Sequence, residues 1–60
     1  MKNNDVLTLN EASKYLRISV YALGDLAREK KIPCFKVGRM WRFRKSSLEK
    51  WMEKQEKKSR

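Results

Sequence analysis

The sequence contains no histidine, a single cysteine, a single proline and only two glycines. One thiol cannot close an intrachain disulfide, and without histidine it leaves no donor set for a zinc cluster. Neither a metal nor any other cofactor is therefore expected. The missing histidine also removes the usual acid–base group near neutral pH. Asp5, Glu11, Asp25 and the acids of the C-terminal segment form no evident pair, and there is no glycine-rich phosphate loop. The chain is thus not expected to be an enzyme. Cys34 reads as a small, half-buried apolar residue, and a lone thiol fits a reducing, cytoplasmic setting. Apolar runs are only a few residues long, which predicts neither a membrane span nor a signal peptide. Sixty residues allow one domain, over 1–60, with a small core.

Negative charge is also scarce. Sixteen Lys and Arg against seven Asp and Glu give a net charge of +9. Between Lys30 and Lys45 the cations Lys30, Lys31, Lys36, Arg39, Arg42, Arg44 and Lys45 meet no acid at all. Such a balance calls for an anionic partner: nucleic acid, an acidic membrane surface or an acidic protein. A membrane-surface or basic protein-interaction module would place its cations on an amphipathic helix. Here they fall on a stretch with strand character, Pro33 to Arg44. Phe35 and Val37 alternate with Cys34 and Lys36, and Trp41 and Phe43 alternate with Met40, Arg42 and Arg44, the period of a half-buried strand. Gly38 supplies the turn between the two runs, and Pro33 bars a helix from entering them. The expected hairpin buries Phe35, Val37, Trp41 and Phe43 on one face. Its other face and tip carry Lys36, Arg39, Arg42 and Arg44. A two-stranded hairpin is not stable alone, so this one must lean on helices.

Helical patterns flank it. Residues 1–6 are expected to be a flexible N-terminus. Thr8-Leu9-Asn10-Glu11 is a capping box, opening a first helix over about Leu9 to Leu16 with Leu9, Ala12 and Leu16 inward and Tyr15 at the border. Arg17-Ile18 makes a turn and Ser19 an N-cap. The second helix, about Val20 to Lys30, turns Leu23, Leu26 and Ala27 inward and presents Val20, Tyr21, Asp25 and Arg28. Two short helices joined by a tight turn form a helix-turn-helix unit. A third helix is capped near Arg44–Ser46, with Ser46-x-x-Glu49 as a second capping box and Leu48, Trp51 and Met52 as its apolar stripe. Residues 54–60 read as a frayed polar tail. Trp41 and Trp51 are expected to be largely buried, near Leu16 and Leu26. The fold class is mainly α: three short helices with a small β-hairpin wing, a winged helix-turn-helix.

The pattern Leu7-Thr8-x-x-Glu11-Ala12-x-x-Tyr15-Leu16, then Ile18-Ser19, then Ile32-Pro33-x-x-Lys36-Val37-Gly38-Arg39-x-Trp41-Arg42-Phe43, then Leu48-x-x-Trp51, resembles the excisionase-type winged helix-turn-helix family. That family is related to the DNA-binding domains of mercury-resistance-type regulators. The resemblance implies double-stranded DNA as the partner, with the second helix in the major groove and the wing on the flanking backbone or minor groove. It implies a cytoplasmic, nucleoid-associated accessory protein. Such a protein binds beside recombination sites, often as side-by-side copies, bends the DNA and helps a tyrosine-recombinase integrase excise a mobile element. A small transcription regulator with the same binding mode is the alternative. On this reading Lys36, Arg39, Arg42, Arg44 and Lys45 neutralise phosphates, and Ser19, Val20, Tyr21, Asp25 and Arg28 approach base edges. Three residues depart from the family pattern. Arg17 stands where glycine is frequent, and a left-handed conformation there costs about 1 kcal/mol or more. Gly24 and Asp25 stand where larger and often basic residues are usual. Asp25 either pairs with Arg28 at i+3 or accepts a hydrogen bond from cytosine N4.

Overall fold

Phe43 is the largest side chain withdrawn completely from solvent, and the strand that carries it is paired on both edges. The computed structural model describes residues 5–59. The elements run β1 (Val6–Thr8), α1 (Leu9–Leu16), α2 (Val20–Arg28), β2 (Phe35–Val37), β3 (Met40–Arg44) and α3 (Lys45–Lys58). β3 is central in a three-stranded antiparallel sheet of order β1-β3-β2. The hairpin expected from the sequence thus gains a third strand. Leu7 lies opposite Phe43, and Thr8 opposite Arg42. Of the N-terminus expected to be flexible over 1–6, the first four residues lie outside the described residues, Val6 belongs to β1, and Asp5 is held by hydrogen bonds described below.

The hairpin turn sets which side chains face inward. Val37 pairs with Met40, Lys36 with Trp41 and Phe35 with Arg42, so the loop is two residues, Gly38-Arg39. Gly38 has φ 64°. Glycine at positive φ in the first of two central positions matches a type II′ hairpin turn. A two-residue loop places Trp41 and Phe43 on the face shared with Lys36 and Leu7. Phe35 and Val37 then share the opposite face with Met40 and Arg42. The expectation that Phe35 and Val37 would be buried beside Trp41 and Phe43 is therefore corrected, since it needs a loop one residue longer. A slip of one residue moves every side chain to the other face. Phe35, Val37 and Met40 are 40%, 51% and 55% exposed.

Beneath the sheet, Ala12, Leu23, Ala27, Ile32, Phe43 and Leu48 form the buried core. The helices supply it as their periodicity requires. The Thr8 hydroxyl accepts from the Glu11 amide at 3.1 Å, and the Glu11 carboxylate accepts from the Thr8 amide at 2.9 Å, which completes the capping box. Ser13 is also buried and satisfies its hydroxyl on the Asn10 carbonyl at 2.8 Å. The Ser19 hydroxyl accepts from the Ala22 amide at 3.0 Å and caps α2. Both helices end on a left-handed basic residue, Arg17 (φ 62°) and Lys30 (φ 59°). The amides of Ile18 and Lys31 then reach back to the carbonyls of Ser13 (3.0 Å) and Leu26 (2.9 Å), the hydrogen bonds of a Schellman ending. α2 accordingly stops at Arg28, two residues short of the expected Lys30.

Three expectations about α3 are corrected, the first being the frayed tail expected over 54–60, because the helix runs on through Lys58. No side chain of its own N-cap residue, Arg44, caps it, and the Ser46–Glu49 box does not form. Asp5 takes that place from the far end of the chain. Its carboxylate accepts from the Ser46 amide and the Ser46 hydroxyl, both at 3.3 Å, and from Arg44 at 3.3 Å, while its backbone carbonyl accepts from the Lys45 amide at 2.6 Å. Strand pairing of β1 on β3 delivers that carboxylate to the positive end of α3. Neither tryptophan is fully buried, because Trp41 lies beyond the core toward the wing tip and Trp51 at the rim of α3. Trp51 donates its indole N–H to the Lys31 carbonyl at 3.0 Å, tying α3 to the segment that follows α2.

The core position of Phe43 can be checked against its outward neighbour. A buried Phe→Ala change costs about 3–5 kcal/mol, most of the roughly 3–9 kcal/mol a chain of this length holds. Phe43→Ala should lose the cooperative thermal transition, while Phe35→Ala should melt near the parent. The reverse ranking in calorimetry would show the sheet to be paired in the other register. Asp5→Ala should cost about 1–2 kcal/mol, as for loss of a cap, whereas Arg44→Ala, which removes only an exposed ion pair, should stay within about 0.5 kcal/mol. Equal losses in urea titrations would mean that Asp5 acts only through Arg44.

Candidate nucleic-acid interface

The outward surface of α2 is a stripe at helical spacing. Tyr21, Asp25 and Arg28 follow one another at i, i+4 and i+7. Tyr21 is 83% exposed, unusual for an aromatic with no partner in the fold. Asp25 and Arg28 are ion-paired and both are exposed. Val20 lies half-buried at the start of the helix. Ser19 spends its hydroxyl on the cap, so it sets where the stripe begins.

The wing separates cations that the sequence groups together. Arg39 occupies the turn and is exposed, beside Gly38. Arg42 is on the outer face of the sheet, half-buried, donating to the Trp41 carbonyl at 2.8 Å. Arg44 shares that face and is paired with Asp5. Lys36 is on the opposite face, its Nζ 4.7 Å from the centre of the Trp41 ring, a cation–π contact. The expected common basic face of Lys36, Arg42 and Arg44 is therefore corrected: alternation along the strands divides it. Lys45 leaves the sheet and lies over the Tyr15 ring at 5.4 Å. Lys31 pairs with Glu29 at 3.2 Å. Among the described residues, the cations of the 30–45 window that meet an acid are Lys31 and Arg44. The acid-free window of the sequence is thus partly neutralised by folding, and among the described residues Arg39 meets no acid at the tip.

An open cleft of about 440 Å³ lies between the first turn of α1 and the wing, lined by Thr8, Leu9, Asn10 and by Arg39, Met40, Trp41 and Arg42. It brings two guanidinium-bearing residues beside the polar Thr8 and Asn10 and the apolar Leu9, Met40 and Trp41. Sequence reading missed Thr8 and Asn10 here. The closeness of α1 to the wing follows from β1–β3 pairing, which three residues of strand barely announce.

Two other groups carry perturbed titrations. Partial burial, the adjacent Glu49 charge and a 3.3 Å hydrogen bond to that carboxylate push the Tyr15 phenol above its ordinary range. Burial pushes the Cys34 thiol up, opposed by nearby Lys30, and its Sγ lies 3.8 Å from the Ala27 carbonyl. A thiol held protonated in this way is a packing group rather than a nucleophile. No group of His, Cys, Asp and Glu among the described residues could hold a metal ion, and no described helix is long and apolar enough to cross a membrane.

A family model described as a helix-turn-helix domain matches residues 6–56, from β1 through most of α3. Comparison with curated proteins and with solved structures finds no match. The family match takes in the wing and third helix as well as α1 and α2. With the capped helix pair, the solvent-facing stripe of α2 and the cationic hairpin, it leads to one conclusion: the chain belongs to the helix-turn-helix domain family and is, at that level, a DNA-binding domain.

Proposed function

We propose that the domain acts as an excisionase-type accessory factor. It binds double-stranded DNA beside a recombination site, bends it, and directs a tyrosine-recombinase integrase toward excision of a mobile element. α2 enters the major groove and the wing follows the flanking backbone or minor groove. The observation that supports this reading most is the wing itself. It is short, held to the body by β1 and Phe43, and tipped by an exposed cation with no acid against it. A rigid arm ending in arginine can reach a phosphate or a narrow minor groove, where the negative potential is enhanced. Phosphate contacts position such a protein, and base contacts and DNA deformability specify the sequence. The roles of Lys36, Arg42, Arg44 and Lys45 then differ. Arg42 reinforces the cleft beside Arg39, while Lys36 on β2 and Lys45 at the start of α3 extend the field. Arg44 is spoken for by Asp5 and contributes least. One copy offers few contacts, so tight binding would use copies side by side along the DNA.

Each phosphate contact contributes about −0.9 to the slope of log affinity against log salt. Arg39→Ala should therefore weaken binding to every duplex alike and make that slope shallower by about one unit. Its thermal transition should be unchanged, because the side chain touches nothing in the core. Fluorescence anisotropy of one labelled duplex across a salt series measures both. An unaltered affinity and slope would take the wing tip out of the interface.

A further inference from the structure

Asp25 is an awkward residue on a helix that approaches a polyanion, and Gly24 is an awkward residue in the middle of any helix, where it costs roughly 1 kcal/mol relative to alanine. Asp25 makes sense through Arg28. That arginine sits at the last position of α2, the end farther from the cap. Its Nη1 lies 3.7 Å from where a Cβ on residue 24 would stand, and its Nη2 is bound by the Asp25 carboxylate. The guanidinium is thus folded back one turn along the helix and lies over Gly24, in the direction helical side chains lean. A Cβ at 24 would meet the guanidinium at ordinary van der Waals distance, so its place is set by the carboxylate at 25 that binds it. A cation that begins at the C-terminal end is delivered to the centre of the exposed stripe, next in line after Tyr21.

We propose that Arg28 reads a guanine in the major groove and that Asp25 is the positioning residue that holds its guanidinium for that task. The inference rests on the DNA-binding reading of α2 and adds the base it recognises. An arginine offset by a carboxylate has little net charge left to draw it to phosphate. Of its five N–H donors, those not facing Asp25 keep their direction. What such a fixed, neutralised fork recognises is a pair of adjacent acceptors on one base. In the major groove guanine presents that pair, O6 and N7. Holding the fork in advance also removes the ordering cost that a free arginine meets on binding.

The test is selection from a duplex library with a randomised core, using the parent chain, Arg28→Lys and Asp25→Asn, followed by sequencing and anisotropy on selected and unselected duplexes. Lysine keeps the charge and loses the fork. The parent should enrich guanine at one position. Arg28→Lys should lose that preference by about tenfold, its affinity for selected duplex falling toward that for unselected duplex. Asp25→Asn should bind all duplexes more tightly, having shed a negative charge, yet discriminate guanine less well. Both variants should share the parent's melting transition, since both side chains are exposed. The proposal is overturned if the parent binds duplex without a guanine preference, or if that preference survives Arg28→Lys. It is also overturned if Asp25→Asn gains affinity with discrimination intact, which would make Asp25 a repulsive charge alone. A parent that binds no duplex would overturn the DNA reading itself, a different result from binding without discrimination.

Discussion

The two-residue turn at Gly38-Arg39 is the constraint on which the remainder of this domain depends. It fixes Val37 opposite Met40, and from that single pairing the face of every residue in β3 follows. Phe43 goes inward, where it closes a core of only six buried apolar side chains. The aromatics packed around that core, Tyr15, Trp41 and Trp51, are only partly buried, so the register and the fold stand or fall together. The same turn sends Arg42 outward and leaves Arg39 at the extremity. One glycine at positive φ thereby links the stability of the domain to the placement of its exposed cations.

Charge is handled with similar economy. The chain carries an excess of nine positive charges, which resist being packed into so small a volume. Folding spends the few acids at specific places. Glu11 closes the α1 capping box, Asp5 joins β1 to the start of α3, Glu29 meets Lys31, and Asp25 holds Arg28. Aromatic faces take two further cations, Lys36 on Trp41 and Lys45 on Tyr15. Among the described residues, the cations left without an acid include Arg39 and Arg42 on the wing and Lys50, Lys54, Lys57 and Lys58 along α3.

Features determined by near neighbours were readable in the sequence. The Thr8–Glu11 box, the Ser19 cap and the extent of α1 each depend on residues three or four apart, and each is present as expected. The left-handed turn at Arg17 (φ 62°) was suggested only by the family resemblance, in which glycine is frequent at that position. Features determined at long range were not. Asp5 caps α3 across some 40 residues of chain, and nothing local to either end marks the pair. Ser46–Glu49 had the right spacing for a capping box, yet the amide it would serve is already satisfied. The faces of the hairpin were misassigned for a subtler reason. Alternation identifies a strand but not its phase relative to a partner, and only the loop length relates the two. For the interface, residue types indicated the cations. Their division between two faces depends on geometry that composition does not carry.

The central claim is that one surface, made of the α2 stripe and the wing tip, meets DNA while α3 serves the fold. Amide chemical-shift mapping by nuclear magnetic resonance addresses this directly, by titrating the isotopically labelled chain with a mixed-sequence duplex at low salt. The account predicts the largest shifts at Tyr21, Asp25, Arg28, Gly38 and Arg39, with Leu48 to Lys58 nearly unmoved. Shifts concentrated in α3, with α2 and the turn unaffected, would contradict it.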